Sequence, residues 1–279
     1  MRALGLDEHL VAVTFECDEQ ARRRHRVVVS GADTSGWSSA DIDAYVRTRR
    51  DAGEDLYTLD EGALADLDPT LVLTQDLCRV CALPTDRVDE ALAHLGCHAD
   101  VVTLDPRTLD DVLDTIHRVG DATGVPDRAA DLVAGLRSRL DTVAAAIGRE
   151  GGARPRATVV EWVDPLFCGG HWIPDQVRIA GGDPVAMHPG TASGPVPWDL
   201  LRDAGPEVVM VAPCGFGLDG AAEQAAVVAR ELPDAQVWAL DGDAVVVRPG
   251  PRLVDGVEAM ASVLHPAAFG PSVHVRRVR

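Results

Sequence analysis

Residues 126–149 read "PDRAADLVAGLRSRLDTVAAAIGR" and form the longest uninterrupted helical pattern of the chain. A proline opens this pattern, and the glycine-containing stretch "EGGARP" closes it. On both sides of it, short β-branched runs alternate with amphipathic helical segments. Alternating strands and helices predict right-handed crossovers and a mostly parallel sheet. One long helix between two such halves can tie two lobes together.

The predicted fold class is therefore α/β, with two α/β lobes of mostly parallel strands joined by a long rigid interlobe helix. Runs such as "TLVLT" before the helix and "EVVMVAP" after it supply the strands. The last residues, "GPSVHVRRVR", have no core pattern. We expect an N-terminal lobe at 1–125, the interlobe helix at 126–150, a C-terminal lobe at 151–270 and a loose tail at 271–279.

The composition is that of a folded chain with an acidic surface. Of 279 residues, 46% are hydrophobic, and 44 acidic against 26 basic residues give a formal net charge of −18. This charge repels nucleic-acid phosphates and anionic membranes. The chain contains no lysine. Schiff-base chemistry and a Walker-A nucleotide site, which both need a lysine amine, are therefore excluded.

The location is predicted from hydrophobic segments and from the first residues. No stretch has the length of uncharged apolar sequence that spans a bilayer, so we expect no direct membrane insertion. The start, "MRALGLDEHLVAVTFECDEQ", lacks the segments of a secretory signal. We therefore expect a cytoplasmic protein as written, or an exported one if an upstream segment is missing. Six cysteines in a cytoplasmic chain favour thiols or ligands over disulfides.

Five of the six cysteines lie just past predicted strand ends. They are Cys17, Cys78, Cys81, Cys168 and Cys214. Ligands of open α/β sheets collect at the carboxyl ends of the strands, so these thiols could line a shared cleft. They could equally be small buried hydrophobes beside a packed sheet.

Two short motifs match known patterns by spacing alone. Cys78 and Cys81 precede His94 and His98 at zinc-finger spacing, but the aromatic residue of a finger is missing and the segment fits a helix between two strands. Residues 215–220, "GFGLDG", match a dinucleotide fingerprint. Two extra residues separate that motif from its strand, which disrupts the tight turn that a pyrophosphate needs. Chance spacing is the commoner explanation of the first motif, and a glycine-rich turn is the commoner explanation of the second.

The densest chemistry lies at residues 161–182, "EWVDPLFCGGHWIPDQVRIAGG". Three of the eleven aromatic residues of the chain, Trp162, Phe167 and Trp172, lie here directly after a strand. Adjacent glycines allow the backbone to approach another group closely. Aromatic faces with a few polar groups suit a flat, bulky, mostly apolar ligand. His171 could ligate a metal centre in such a ligand or simply be hydrogen-bonded.

Four stretches together resemble one protein family. They are "LADLDPTLVLTQDLCRVCA", "EWVDPLFCGGHWIPDQVRIAGGDP", "APCGF" and "RPGPRLVDGVEAMASVLHP". The chain resembles the cobalamin-binding members of the helical-backbone periplasmic binding proteins, a class shared with iron-siderophore binding proteins of ABC transporters. The resemblance implies a corrinoid in a cleft between two lobes, an ABC permease as partner, and capture and delivery without catalysis.

The resemblance also implies site residues. The expected ligand-binding residues are Trp162, Asp164, Phe167, Gly169, Gly170, His171, Trp172, Gln75, Cys78 and Cys214. The expected transporter-docking residues are Asp60, Glu61 and Asp199. Family members usually open with a strand ahead of the segment "LGLDEHL", so we expect the first strand to be missing here.

A second hypothesis stays open beside the corrinoid. The same scaffold could be a cytoplasmic enzyme or metalloprotein that binds an iron–sulfur cluster or another soft metal. Its thiolate ligands would be Cys17, Cys78, Cys81 and Cys168. The acidic charge argues against a nucleic-acid partner under either hypothesis.

Overall fold

The computed structural model describes residues 1–34, 36–75 and 99–279. The chain divides into two compact units. Unit 1 comprises Met1–Asp105 and His117–Ala129, and unit 2 comprises Pro106–Ile116 and Ala130–Arg279. The lobe boundaries given above stay a prediction, since these units are defined by internal contacts alone.

Helices alternate with strands along both units, as the sequence patterns predict. Two short 3-10 helices, Arg2–Leu4 and Asp7–His9, come first. The α-helices of the described residues are α1 (Glu19–Arg24), α2 (Ser39–Asp51), α3 (Glu61–Leu67), α4 (Leu109–Ala122), α5 (Pro126–Glu150), α6 (Ile173–Ile179), α7 (Trp198–Asp203), α8 (Leu218–Glu231), α9 (Gly242–Val245) and α10 (Leu253–Leu264). None of these helices combines the length and the apolar character needed to cross a membrane.

The strands are short in unit 1 and longer in the centre of unit 2. Those of unit 1 are β1 (Ala12–Thr14), β2 (Arg26–Gly31), β3 (Tyr57–Leu59), β4 (Leu71–Thr74) and β5 (Asp100–Thr103). Those of unit 2 are β6 (Arg156–Val163), β7 (Leu166–Cys168), β8 (Gly170–His171), β9 (Asp183–Pro184), β10 (His188–Pro189), β11 (Gly194–Pro195), β12 (Val208–Val211), β13 (Gln236–Leu240) and β14 (Val275–Arg277).

The described strands of unit 1 form two small sheets. Strand β2 pairs in parallel with β1 and antiparallel with β3, and β4 pairs in parallel with β5. Helix α2 begins with a capping box, in which Ser38 and Asp41 each bond the other's backbone amide. Such a box satisfies two amides that otherwise lack helical partners. The box therefore defines the start of α2, with Ser38 as its N-cap.

The core of unit 2 is a sheet with the order β11-β7-β6-β12-β13-β14. Strands β6, β12 and β13 are parallel neighbours, and every residue of β12 is buried. A continuous apolar strand of this kind is covered on both of its faces. Helix α8 covers one face of this sheet through Ala221, Ala225 and Val228. The apolar runs of the sequence thus become the central strands.

Helix α5 confirms the helix predicted at 126–149. Its first four residues belong to unit 1 and the rest to unit 2. Within unit 2, the guanidinium of Arg139 bonds Asp255 at 2.6 Å and Glu258 at 2.8 and 2.9 Å, both on α10. Hydrogen bonds from Arg139 to the Glu258 carboxylate raise the pKa of the arginine further above its ordinary value. This ion-pair cluster fixes α5 against α10.

The end of the chain differs from the expected loose tail. Residues Val275–Arg277 form strand β14, which pairs antiparallel with β13. The guanidinium of Arg277 lies over the ring of Trp238, 5.8 Å from its centroid. The amide of Val278 also donates to the carbonyl oxygen of Val237 at 2.9 Å. Backbone pairing and this cation–π contact order a segment that lacks a hydrophobic pattern of its own.

Candidate ligand site

The carboxyl ends of three parallel strands of unit 2 meet at one edge of the sheet. Strands β6, β12 and β13 end at Val163, Val211 and Leu240. The chain then continues into a tight turn before β7, into residues 212–217 and into residues 241–248. Open α/β sheets bind their ligands at this edge. We call it the carboxyl edge of unit 2.

An aromatic group lies at the carboxyl edge. Trp162 on β6 pairs in register with Phe167 on β7, so both are half-buried on the same side of this hairpin. The indole N–H of Trp162 donates to the carbonyl oxygen of Asp164 at 3.1 Å. Its ring packs against Phe216, with 5.8 Å between the ring centroids and 59° between the planes. The predicted residues Trp162, Asp164 and Phe167 therefore lie together.

Phe216 is a candidate site residue that the sequence analysis missed. It lies in the loop between β12 and α8, and its carbonyl oxygen accepts a bond from the amide of Asp243 at 3.3 Å. The carboxylate of Asp243 in turn accepts bonds from the guanidinium of Arg248 at 2.6 and 2.8 Å. The motifs "APCGF" and "RPGPR" contain the two missed residues, Phe216 and Arg248. An aromatic residue in the loop that follows β12 was the available signal.

The glycine turn after β7 is fixed to the end of β6. The carboxylate of Glu161 accepts a bond from the amide of Gly170 at 3.2 Å and another from the hydroxyl of Ser193. A Cβ on Gly170 would lie 2.4 Å from the backbone nitrogen of Ser193 and 2.5 Å from the carbonyl oxygen of Thr191. Only glycine fits where two backbone segments approach this closely.

His171 follows this turn in an unusual backbone conformation. Its φ is +49°, a left-handed value that is uncommon for residues other than glycine. The amide of His171 donates to the carbonyl oxygen of Thr191 at 2.6 Å, and its carbonyl oxygen accepts from Gly190 at 3.1 Å. Burial lowers the pKa of the imidazole, and the positive charge of Arg107 lowers it further. The ring of His171 is therefore half-buried in surroundings that favour its neutral form.

The sequence comparisons assign this fold to a family. The family described as periplasmic binding protein matches residues 54–239, more than half of the chain. The chain belongs to this family. The comparison with curated proteins gave no match. The resemblance to periplasmic binding proteins is thereby confirmed, and residues 161–182 lie inside the matched region.

Solved structures share the fold of this periplasmic binding protein. A periplasmic heme-binding protein from Pseudomonas aeruginosa is 20% identical, with a TM-score of 0.71 over 99% of this chain and 92% of that chain. A vitamin B12 binding protein of Vibrio cholerae is 20% identical, with a TM-score of 0.61 over 95% and 92%. A heme-binding protein of the same organism is 18% identical, with a TM-score of 0.66 over 95% and 94%. These likenesses confirm the helical-backbone fold class.

The family assignment corrects the predicted location. The expectation of a cytoplasmic protein is wrong, because the chain belongs to a family of periplasmic binding proteins. That expectation depended on the first twenty residues and on the lack of a long apolar stretch. The family match draws instead on residues 54–239, which form the fold.

Trp172 differs from its predicted role in this binding protein. It is only 4% exposed, and its indole N–H donates to the carbonyl oxygen of Val246 at 2.8 Å. The predicted ligand contact by Trp172 therefore does not hold, because α6 begins directly after it and the ring packs into the core. The ring instead supports His171, with centroids 5.5 Å apart and planes inclined by 28°.

The cysteines separate into different environments. Cys168 is fully buried within β7, and burial raises the pKa of its thiol to about 12. Cys214 is exposed in the loop after β12, and Cys17 is half-buried in unit 1. Cys78 and Cys81, like His94 and His98, lie outside the described residues. Within the described ranges, no group of three His, Cys, Asp or Glu side chains could hold a metal ion, so the iron–sulfur hypothesis gains no support there.

These environments predict different thiol reactivities. At pH 8 a thiol with a pKa of about 12 is ionised in about one molecule in ten thousand, and Cys168 is also inaccessible. We expect iodoacetamide to label Cys214 in the folded protein and Cys168 only after denaturation. Peptide mapping by mass spectrometry measures both sites in one sample. Equal labelling of the two in the folded protein would contradict the buried position of Cys168.

The remaining predicted residues lie at distinct places in the two units. Gln75 is half-buried directly after β4 in unit 1. Asp60 and Glu61 are exposed at the start of α3. Asp199 on α7 has a side chain that is 90% exposed and pairs with Arg202 at 2.6 Å. The roles assigned to these residues stay predictions.

Proposed function

We propose that this periplasmic binding protein captures a corrinoid and delivers it to an ABC-type permease. The aromatic pair Trp162 and Phe216 at the carboxyl edge of unit 2 carries this proposal. Large aromatic faces beside a few polar groups are what a flat macrocyclic ligand requires. Phe167 extends the same apolar surface, and the glycine turn at 169–170 lies next to it in sequence.

Tetrapyrroles are the ligand class that the similar structures favour. The P. aeruginosa structure is a heme-binding protein, and V. cholerae structures include both a heme-binding and a vitamin B12 binding protein. The same fold thus accommodates iron and cobalt macrocycles. The choice between heme and a corrinoid must come from the side chains of this chain.

Charge favours a corrinoid over heme. Heme carries propionate carboxylates, which need cationic partners when they are bound. The neighbouring charged groups of unit 2 are three carboxylates and two guanidiniums, and one of the guanidiniums, that of Arg248, is already bonded to Asp243. Corrinoids carry neutral amides around the ring, which accept and donate hydrogen bonds without a counter-charge. These neighbouring groups are the carboxylates of Glu161, Asp164 and Asp243 and the guanidiniums of Arg107 and Arg248.

Delivery requires a surface for the permease. We assign this role to Asp60 and Glu61 in unit 1 and to Asp199 in unit 2. All three are exposed, and exposed carboxylates can pair with arginines of a partner. On the ligand side, Gln75 of unit 1 and Cys214 of unit 2 remain candidate contacts.

Titration of the full chain with aquocobalamin and, separately, with hemin tests the proposal. We expect calorimetry to give a Kd of about 1 μM or below for the corrinoid and binding at least about tenfold weaker for hemin. Tighter binding of hemin would reject the corrinoid. Binding of neither macrocycle would reject the tetrapyrrole site.

A further inference from the structure

We infer that His171 supplies an axial nitrogen to the cobalt of the bound corrinoid. The site would therefore select corrinoids that have an exchangeable axial position. This inference rests on the proposed function, because it assigns one residue of the same site. Four observations on His171 carry it.

The first observation concerns the two ring nitrogens of the His171 imidazole. Neither ring nitrogen of His171 takes part in a hydrogen bond within the part of the chain that the structure describes. By contrast, the ring of His265 bonds the carbonyl oxygen of Gly181 at 3.2 Å, and the ring of His274 lies 3.8 Å from the carboxylate of Asp241. A half-buried imidazole without such a partner is available to a ligand.

The second observation is the backbone conformation. A left-handed φ at a residue other than glycine costs free energy and persists only where neighbouring contacts hold it. Here the backbone of His171 is bonded on both sides to residues 190–191. Asparagine, aspartate and histidine adopt this conformation more often than other residues with a Cβ, so His171 fits the backbone while presenting an imidazole.

The third observation is that the ring plane is fixed. The imidazole of His171 stacks on Trp172, which is itself locked by its bond to Val246. A metal-binding histidine needs a set orientation, which its surroundings must supply. Imidazole nitrogen is a suitable donor for transition metals.

The fourth observation is the position of the turn relative to Trp162. Glu161, the residue before Trp162 on β6, accepts the amide hydrogen of Gly170, the residue before His171. The residues that directly follow this bonded pair are Trp162, the proposed ring contact, and His171, the proposed cobalt ligand.

The ligand exchange leaves the oxidation state of cobalt unchanged. A lone pair of the neutral imidazole nitrogen forms the cobalt–nitrogen bond, and the water bound at that axial position leaves with its own electron pair. No proton or electron is transferred. A corrinoid with cyanide on both faces has no such water and should bind without this bond.

The experiment compares two corrinoids that lack their own nucleotide base. Diaquocobinamide has water at both axial positions, and dicyanocobinamide has cyanide at both. We expect the absorption bands of diaquocobinamide to shift to longer wavelength on binding, and its affinity to exceed that of dicyanocobinamide by at least about tenfold. Reduced cobalt(II) cobinamide bound to the protein should show nitrogen splitting in its electron paramagnetic resonance spectrum.

The variant His171→Asn removes the imidazole and tolerates the left-handed backbone. We expect H171N to keep its thermal stability and to bind both cobinamides, as measured by tryptophan quenching, without the band shift or the nitrogen splitting. His188→Gln is the matched control. His188 pairs in register with Gly170, one residue from His171, but its Nε2 is buried. We expect H188Q to retain both signals.

The outcomes separate this inference from the function on which it rests. Binding of diaquocobinamide with the same spectrum in the unsubstituted protein and in H171N would overturn the role of His171 while leaving corrinoid binding intact. Loss of the nitrogen splitting in H188Q alone would assign the bond to His188 and would also overturn it. Absence of quenching by every corrinoid would instead reject the proposed function.

Discussion

Replacement of Trp162 by alanine should weaken corrinoid binding about thirtyfold, equivalent to about 2 kcal/mol of binding free energy. Tryptophan presents a large rigid surface, and truncation of such an anchor removes most of the apolar contact of a site. The ring of Trp162 is held ready by its N–H bond to Asp164 and by its contact with Phe216. Calorimetry with aquocobalamin measures the change, because the substitution alters the fluorescence of the protein itself.

Two matched variants test whether the loss of affinity is specific to the aromatic ring at position 162. Trp162→Phe keeps an aromatic face, and we expect its Kd to remain within about fivefold of the unsubstituted value. Trp238→Phe replaces an indole by a smaller phenyl ring in the middle of β13, where the guanidinium of Arg277 lies over the ring. We expect W238F to leave the Kd unchanged. If W162A bound the corrinoid as tightly as W238F does, Trp162 would not contact the macrocycle.

The parts of the fold that the sequence predicts are those with long periodic or continuous patterns. The helix at 126–149 and the buried strand β12 confirm this, because their patterns extend over many residues. The strands β8, β10 and β11 escape prediction because each has two residues. They exist through bonds between distant residues, such as that from His171 to Thr191, and local sequence does not encode such pairings.

The same limit applies to the candidate site. Trp162 and Phe167 are predictable because they lie next to each other at a strand end. Phe216 joins them from a loop about fifty residues later in the chain, so only the folded structure brings it to Trp162. Trp172 shows the opposite error, since it neighbours His171 in sequence but is buried in the core. Sequence proximity does not specify the direction of a side chain.

The cysteines differ in how deeply they are buried, and their sequence positions do not reveal this difference. Cys168 and Cys214 both follow apolar runs, yet the former lies inside β7 and the latter beyond the end of β12. The additional strand β7 arises from a hairpin that returns antiparallel along β6. Because the pattern at 161–168 reads as one strand followed by a loop, the buried thiol looked like a cleft residue.

Gly170→Ala should destabilise unit 2 by about 3 kcal/mol and lower its Tm by about 6–12 °C. The added Cβ would lie 2.4 Å from the backbone nitrogen of Ser193 and 2.5 Å from the carbonyl oxygen of Thr191. Backbone atoms cannot move aside as a flexible side chain does, so the segment at 191–193 must separate from the turn. The bonds that join Glu161 to Gly170 and to Ser193 would then be strained together.

Gly135→Ala is the matched control for the added methyl group. Gly135 lies inside α5 in unit 2, and a Cβ there would meet nothing within 4 Å. Alanine in a helix interior stabilises by about 1 kcal/mol relative to glycine, so the Tm should rise slightly. Scanning calorimetry of the two variants measures both shifts.

We also expect G170A, but not G135A, to lose corrinoid affinity, because the displaced turn carries His171 away from the end of β6. An unchanged Tm and Kd in G170A would show that the two backbone segments do not approach this closely in solution.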